Sequence, residues 1–361
     1  MSIVSGGAAC IFLRLLRVGR AAALPQGYDV SMNQTLNNLH VFKRLAQCSA
    51  QLEGAATLGD GMALAIWRNQ LDAISYAPQG HHTLSFYLNG GYDTFLRNRP
   101  QERGAPGRLC MLPDLQATDW VVNGPLRFMH LYFSPEQFAS QTLQLLDCEA
   151  REMCLPDQTF FDDLQLANLS QVLLRLDLHD PGHRLLGNEL AHGAVAQLIL
   201  SRLGRRKDVR LKGGLAPALR RRMVDWIESQ LDQPVTLGAM AAEAALSEYH
   251  FARMFRISFG MPPHVWLQAR RLVRARQLLA QNQLSLTAIA MACGYSSPSH
   301  FSNRFQAAMG IAPSRYRELQ RLNTRRDFEG FIDTSSSINW GIGPVIEKCR
   351  RRDVPRQARW P

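Results

Sequence analysis

Arg253 and Asn303 carry the most pointed chemistry in this chain. A guanidinium can donate two parallel hydrogen bonds to the O6/N7 edge of guanine, and a carboxamide can pair with N6 and N7 of adenine. Tyr249 and Ala252 precede Arg253, and Ser299 and Ser302 precede Asn303, so each group stands among side chains that can approach base edges. Arg256 and Arg304 follow as cations suited to phosphate, which positions a protein on a duplex without reading its sequence. Ser247 and Ser297 open the two stretches. Each can cap a helix and also reach a phosphate.

These side chains must be held on helices. Leu286, Ile289, Ala290 and Cys293 recur at helical spacing, Gly294 can take the left-handed conformation that stops a helix, and Ser297 with Pro298 starts the next. Phe301, Phe305 and Ala308 then form an inward stripe, leaving Ser299, Ser302, Asn303 and Gln306 outside. Helix, glycine turn and second helix make a helix-turn-helix, whose second helix fits a major groove. The pattern occurs twice. Leu237, Met240 and Ala241 match Leu286, Ile289 and Ala290. Ser247, His250, Phe251, Phe255, Gly260 and Pro263 match Ser297, His300, Phe301, Phe305, Gly310 and Pro313. The first copy has Ala245 where the second has Gly294, so its turn is less clearly marked. Between the copies, 263–280 reads as a helix with Trp266, Ala269, Leu272, Val273 and Leu279 on one face and Arg270, Arg271, Arg274 and Arg276 beside it. This spacer could hold two groove-reading helices roughly one DNA turn, about 34 Å, apart.

Pro217–Leu319 resembles the DNA-binding domain of the AraC/XylS transcription regulators. The resemblance rests on Ser247, Arg253, Phe255 and Gly260; on Arg271, Leu272, Ala275 and Leu279; and on Ile289, Ala290, Gly294, Tyr295, His300, Phe301, Phe305, Gly310, Pro313, Tyr316 and Arg317. The chain departs from the pattern at Asn303, which stands where the first copy has Arg253. The resemblance implies a sequence-specific, cytoplasmic transcription regulator of double-stranded DNA. Its N-terminal half would bind a small-molecule effector and pair two subunits through 164–178. RNA polymerase is a further candidate partner, and neither cofactor nor catalysis is implied.

Composition is consistent with that division. The 361 residues carry a formal charge of +11, and residues 214–321 hold 13 basic against 6 acidic side chains. Clustered positive charge is the electrostatic footprint of phosphate binding. The seven cysteines show no metal-binding spacing. Residues 1–31 read as a disordered or mis-assigned start: their apolar run is broken by Arg14 and Arg17 and is too short to span a bilayer.

Residues 35–54 read as a helix. Short apolar runs then follow at Met62–Trp67, Ile74–Tyr76, Thr83–Leu88, Arg108–Leu112, Asp119–Val122 and Arg127–Phe133, separated by Gly/Pro turns, which suggests a sandwich or barrel. Helices follow over 138–146, 164–178 and 185–203. The expected fold class is α+β in two domains: a cupin-like β-barrel or jelly roll with its following helices, then an all-α domain with two helix-turn-helix motifs. The expected divisions are a sensor and dimerisation domain over 32–203, a linker over 204–216, the DNA-binding domain over 217–320 and a disordered basic tail over 321–361.

His81, His82, Phe86, Trp120 and His130 are candidate lining residues for an effector pocket. The competing reading is a cupin-type metalloenzyme fused to a DNA-binding domain. For that, His82 and His130 would both point inward with Asp93 or Glu102 nearby, yet no His-x-His pair is present.

Overall fold

The computed structural model describes residues 36–78, 80–202, 204–205 and 212–325. The segment read as a disordered start, residues 206–211 of the linker and the tail beyond Arg325 lie outside the described residues.

The N-terminal half begins with α1 (His40–Ala46) and continues through β1 (Gln51–Gly59), β2 (Met62–Asn69), β3 (Asp72–Tyr76), β4 (His82–Gly90), β5 (Thr94–Leu96), β6 (Leu109–Leu112), β7 (Thr118–Val122) and β8 (Leu126–Phe133). Then come α2 (Pro135–Leu146), β9 (Gln158–Phe161), α3 (Leu164–Leu174) and α4 (Pro181–Arg202). The helix expected over 35–54 therefore stops at Ala46. Gln51–Gly59 is instead an edge strand, paired with β2 across the turn Gly59-Asp60-Gly61.

Strands β1 to β9 form two sheets, one of six in the order β1-β2-β8-β4-β6-β9 and one of three in the order β3-β7-β5, and a short two-stranded sheet pairs Met153–Cys154 with Gly204–Arg205. Their hydrogen bonding does not close a barrel, so the observed architecture is two facing sheets rather than the expected cupin-like barrel. Alternation of side chains divides the large sheet between two cores. Leu64, Leu84, Met111 and Leu131 face the helices, where they meet Phe138, Leu169, Leu173 and Val195. Trp67, Tyr87, Cys110 and Tyr132 face the small sheet, where they meet Ile74, Trp120 and Val122. With both faces covered, strands such as LCML and LRFMHLYF are buried along nearly their whole length.

The leucine stripe of α3 belongs to the first of these cores. Leu166, Leu169 and Leu173 are buried at 0%, 5% and 1% exposure. These three side chains belong to the core, whereas Leu164, in the same segment expected to pair subunits, is 77% exposed. Removing one of the three buried side chains would cost about 2–5 kcal/mol through lost burial and a cavity.

The C-terminal half is helical: α5 (Pro217–Ser229), α6 (Leu237–Glu243), α7 (Glu248–Phe259), α8 (Pro263–Gln281), α9 (Leu286–Ala292), α10 (Pro298–Met309) and α11 (Pro313–Arg325). It has two separate apolar cores. One gathers Met223, Ile227, Met240, Phe251, Phe255 and Trp266. The other gathers Ala275, Leu279, Ile289, Phe301, Phe305 and Tyr316. The amino-terminal part of α8 supplies the first core and its carboxyl-terminal part the second, so α8 is the strut between two units. No helix among the described residues is long and apolar enough to cross a membrane.

Candidate nucleic-acid interface

Each unit builds its outer helix with the same local devices. Thr236 caps α6 and Ser285 caps α9, each accepting from the backbone N–H three residues on at 3.1 Å. Ser247 caps α7 by accepting from His250 N–H at 3.3 Å, and Ser297 caps α10 by accepting from His300 N–H at 3.1 Å. Gly260 and Gly310 end these helices in the left-handed region, at φ 75° and 73°. Pro263 and Pro313 open the helices that follow. Such caps satisfy terminal backbone groups that would otherwise lack partners.

The turns are matched as well. Gly294 adopts φ 67° in the second unit, and Ala245 adopts φ 53° in the first. The weakly marked first turn thus has the same handedness without a glycine. Gly294 has a further reason to lack a side chain, because a Cβ there would lie 2.4 Å from the carbonyl oxygen of Leu231.

Phe251, Phe255, Phe301 and Phe305 are fully buried, which fixes the rotation of α7 and α10. On the opposite faces Tyr249, Arg253 and Arg256 of α7, and Ser299, Asn303 and Arg304 of α10, are exposed. Ala252 and Ser302 are half-buried beside them. Tyr249 is 80% exposed, a high value for an aromatic side chain and one that leaves its whole ring available to a partner. His250 and His300 are also exposed in the first turn of each helix. Sequence reasoning used these two only as repeat markers. Their place three residues after the capping serine was the available signal that they share the amino-terminal end of the exposed outer side. His300 Nδ1 lies 3.2 Å from Ser296 Oγ.

Arg271, one of the residues matched to the regulators, is turned inward. Its Nε donates to Leu231 O at 3.1 Å and its Nη2 to Gln233 O at 2.6 Å, tying the loop after α5 to the strut. Burial lowers its pKa from the ordinary guanidinium value.

The five candidate pocket residues do not converge. Trp120 and His130 line a cavity of about 30 Å³ between the two sheets, with Tyr76, Tyr87 and Thr94. Phe86 and His82 instead face the helix-side core, where His82 packs on Phe133 and Phe138. His81 lies outside the cavity and packs edge-on against Tyr132. His82 and His130 therefore occupy opposite faces of the large sheet and cannot share a ligand, contrary to the inward pair expected from the sequence. Among the described residues no three His, Cys, Asp or Glu side chains are grouped to hold a metal ion. Burial depresses all three imidazoles, His81 and His82 to about 4 and His130 to about 3.

Residues 240–319 match the helix-turn-helix domain family. The probable transcriptional regulator LumQ of Photobacterium leiognathi is 34% identical over 92 residues, covering 26% of this chain and 37% of that protein. The HTH-type transcriptional regulator CdhR of Pseudomonas aeruginosa is 30% identical over 151 residues, covering 40% and 44%. The matches to these two relatives thus span less than half the length of each. The HTH-type transcriptional activator RhaS of Escherichia fergusonii is 29% identical over 216 residues, covering 59% of this chain and 76% of that protein. Among solved structures, the DNA-binding domain of AdpA in complex with a target DNA aligns at 29% identity and a TM-score of 0.29, covering 30% of this chain and 97% of that one. The matched stretch, residues 240–319, takes in α7, the strut α8 and α10, so it is a helix-turn-helix domain similar to those of the AraC/XylS regulators.

Proposed function

We propose that the chain is a sequence-specific transcription regulator that places α7 and α10 in two successive major grooves. The observation that carries this reading is the exposure of both outer faces while both phenylalanine pairs behind them are fully buried. The strut of 19 residues is about 28 Å long at 1.5 Å per residue, close to the half-site spacing of one duplex turn. Arg253 and Asn303, with Tyr249, Ala252, Ser299 and Ser302, read bases. Arg256, Arg304, Ser247 and Ser297 hold phosphates, and His250 and His300 join the groove-facing ends. Selection of bound fragments from a random DNA pool by the full chain should yield two short conserved blocks about one turn apart. A single block, or none, would overturn the reading.

In this proposal the N-terminal half is the sensor. The space between its sheets has the composition of a ligand pocket, apolar walls with a few polar groups. Thr94 Oγ1 is buried there without a hydrogen-bond partner. The cavity of about 30 Å³ has room for a water molecule or two, so an effector would have to part the sheets to enter. That requirement gives it different affinity for the two arrangements, as control by ligand needs. A thermal-shift screen of small metabolites against the full chain tests this, with Thr94→Val expected to abolish any stabilisation found. Stabilisation that survives Thr94→Val would move the site elsewhere. Pairing of two chains would use the outer face of α3, where Leu164 is 77% exposed. Light scattering should show dimers that Leu164→Glu separates.

A further inference from the structure

The β1–β2 turn reaches from the N-terminal half into the DNA-binding half. Gly59, Asp60 and Gly61 adopt φ of 93°, 52° and 74°, which folds the turn tightly and presents the Asp60 carboxylate. Asp60 Oδ2 accepts from Arg276 Nη1 and from His192 Nε2, each at 3.0 Å, and from Asn188 Nδ2 at 3.5 Å. Arg276 Nη2 also donates to Asn188 Oδ1 at 3.4 Å. His192 is oriented from behind: its Nδ1 meets the side-chain amides of Gln137 and Gln141 at 3.1 and 2.8 Å. The same turn touches α10, because the Asp60 N–H donates to Ala308 O at 3.4 Å. A Cβ on Gly59 would lie 3.0 Å from that oxygen, so glycine permits the approach.

The Asp60–Arg276 pair is only 21% and 19% exposed, which limits screening by solvent. Burial penalises each charge. The hydrogen bond from His192 and the positive charge of Arg276 nevertheless leave the Asp60 carboxyl below its ordinary pKa. A comparable hub lies at the other end of the DNA-binding half. Glu149, which follows α2, accepts from Ser258 Oγ of α7 at 2.6 Å and faces Arg220 Nη1 of α5 at 3.4 Å. Two carboxylates of the N-terminal half therefore grip one unit each, on the sides away from the exposed outer faces.

We infer that Asp60 is a positioning residue, fastening the second unit and its strut to the N-terminal half so that the two groove readers keep the separation a paired DNA site requires. The inference rests on the regulator reading above. The two units have separate cores, so holding them in register from outside lowers the ordering cost of binding both grooves at once. It contributes nothing when only one groove is engaged.

The test uses the full-length chain and DNA that the wild type itself selects. On the paired site, Asp60→Asn and Arg276→Gln should each weaken binding about tenfold, roughly 1.4 kcal/mol. The double variant should lose no more than either single one. On DNA whose first block is scrambled, so that only the second unit is engaged, all should bind like the wild type. A damaged second unit would lose affinity on both DNAs, and that outcome overturns the proposal, as does undiminished binding to the paired site. An arm without DNA decides independently: amide exchange over residues 59–61 and 270–281 should quicken together in Asp60→Asn, and unchanged exchange overturns the proposal. Failure of the wild type to select any sequence would instead sink the regulator reading and leave the exchange arm to judge the fastening.

Discussion

Arg271 lies directly against Gly294: a Cβ added at 294 would fall 2.5 Å from Arg271 Nη2 and 2.4 Å from the Leu231 carbonyl oxygen that the same guanidinium binds. The turn of the second unit is therefore packed against the first unit through an arginine of the strut. Gly294→Ala must displace backbone as well as side chain, and at φ 67° it is strained in addition. It should cost about 2–4 kcal/mol, combining left-handed strain with overpacking. The counterpart turn behaves oppositely. Ala245 holds φ 53° with a Cβ already present, so Ala245→Gly should be neutral or stabilise by up to about 1 kcal/mol, because relief of strain offsets glycine's entropy. Thermal unfolding of both variants checks the contrast.

The sequence made one half far more legible than the other. The paired units declare themselves because helix periodicity, capping serines and terminal glycines all agree. The structure keeps every cap, and Phe251 and Phe301 sit where the repeat put them. The sheets were harder. β1 contains Gly54, Ala55 and Ala56, weak strand formers after an apolar helix, and so reads as the helix continuing. In β4 and β8 every second residue enters a different core, and polar side chains such as Thr83 and Ser85 are buried as deeply as their apolar neighbours, so polarity does not tell which face His82 or His130 takes. Nothing local marked Asp60: it reads as an ordinary turn residue, and its partner Arg276 is 216 positions away. Phe86 was misplaced for the same reason, since burial on both sides of one sheet leaves no exposed stripe to orient by.

Arg253 and Asn303 occupy equivalent, exposed places on α7 and α10, so they should read corresponding positions of the two DNA blocks. Arg253→Ala should cost about 1–3 kcal/mol on the selected site and relax preference at one base pair of the first block; Asn303→Ala should do the same in the second block. Arg304→Ala should weaken all sequences alike and lower the salt slope by about one. Titrations on selected and scrambled DNA at several salt concentrations separate these outcomes, and equal loss on both DNAs for Arg253→Ala would make it a phosphate contact.

Stability should fall as the solution is acidified. His81, His82 and His130 are held neutral by burial, with pKa values of about 4, 4 and 3. His82 Nδ1 accepts from Asp114 N–H at 3.2 Å, and His81 Nε2 accepts from Val41 N–H at 3.4 Å, contacts that the protonated ring could not keep. In the unfolded chain these imidazoles take up protons near pH 6.5. The unfolded state therefore binds more protons between that pH and the folded values. The stability their burial contributes is complete above about pH 6.5 and is lost on descent towards pH 4, at about 1.4 kcal/mol per pH unit for each histidine. Denaturant unfolding followed by tryptophan fluorescence from pH 7.5 to 4.5 should show this decline, and His130→Phe should make it shallower. A flat profile would place these imidazoles in contact with solvent.

Ser297 performs one task that the structure shows and another that is proposed, and a single substitution can separate them. Its hydroxyl oxygen accepts from His300 N–H at the start of α10, while its O–H remains free to donate to a phosphate. Ser297→Ala removes both and should cost about 1 kcal/mol of stability, the ordinary value of a cap. Ser297→Asp keeps an acceptor there and adds a negative charge that the helix amino terminus favours, so stability should be held or slightly raised. The same charge would repel a phosphate at that end of the helix. Ser297→Asp should therefore bind selected and scrambled DNA more weakly by a similar factor, with no change in base preference. If its affinity for both DNAs equals that of the wild type, Ser297 is a cap alone and the phosphate must lie further along α10, towards Arg304.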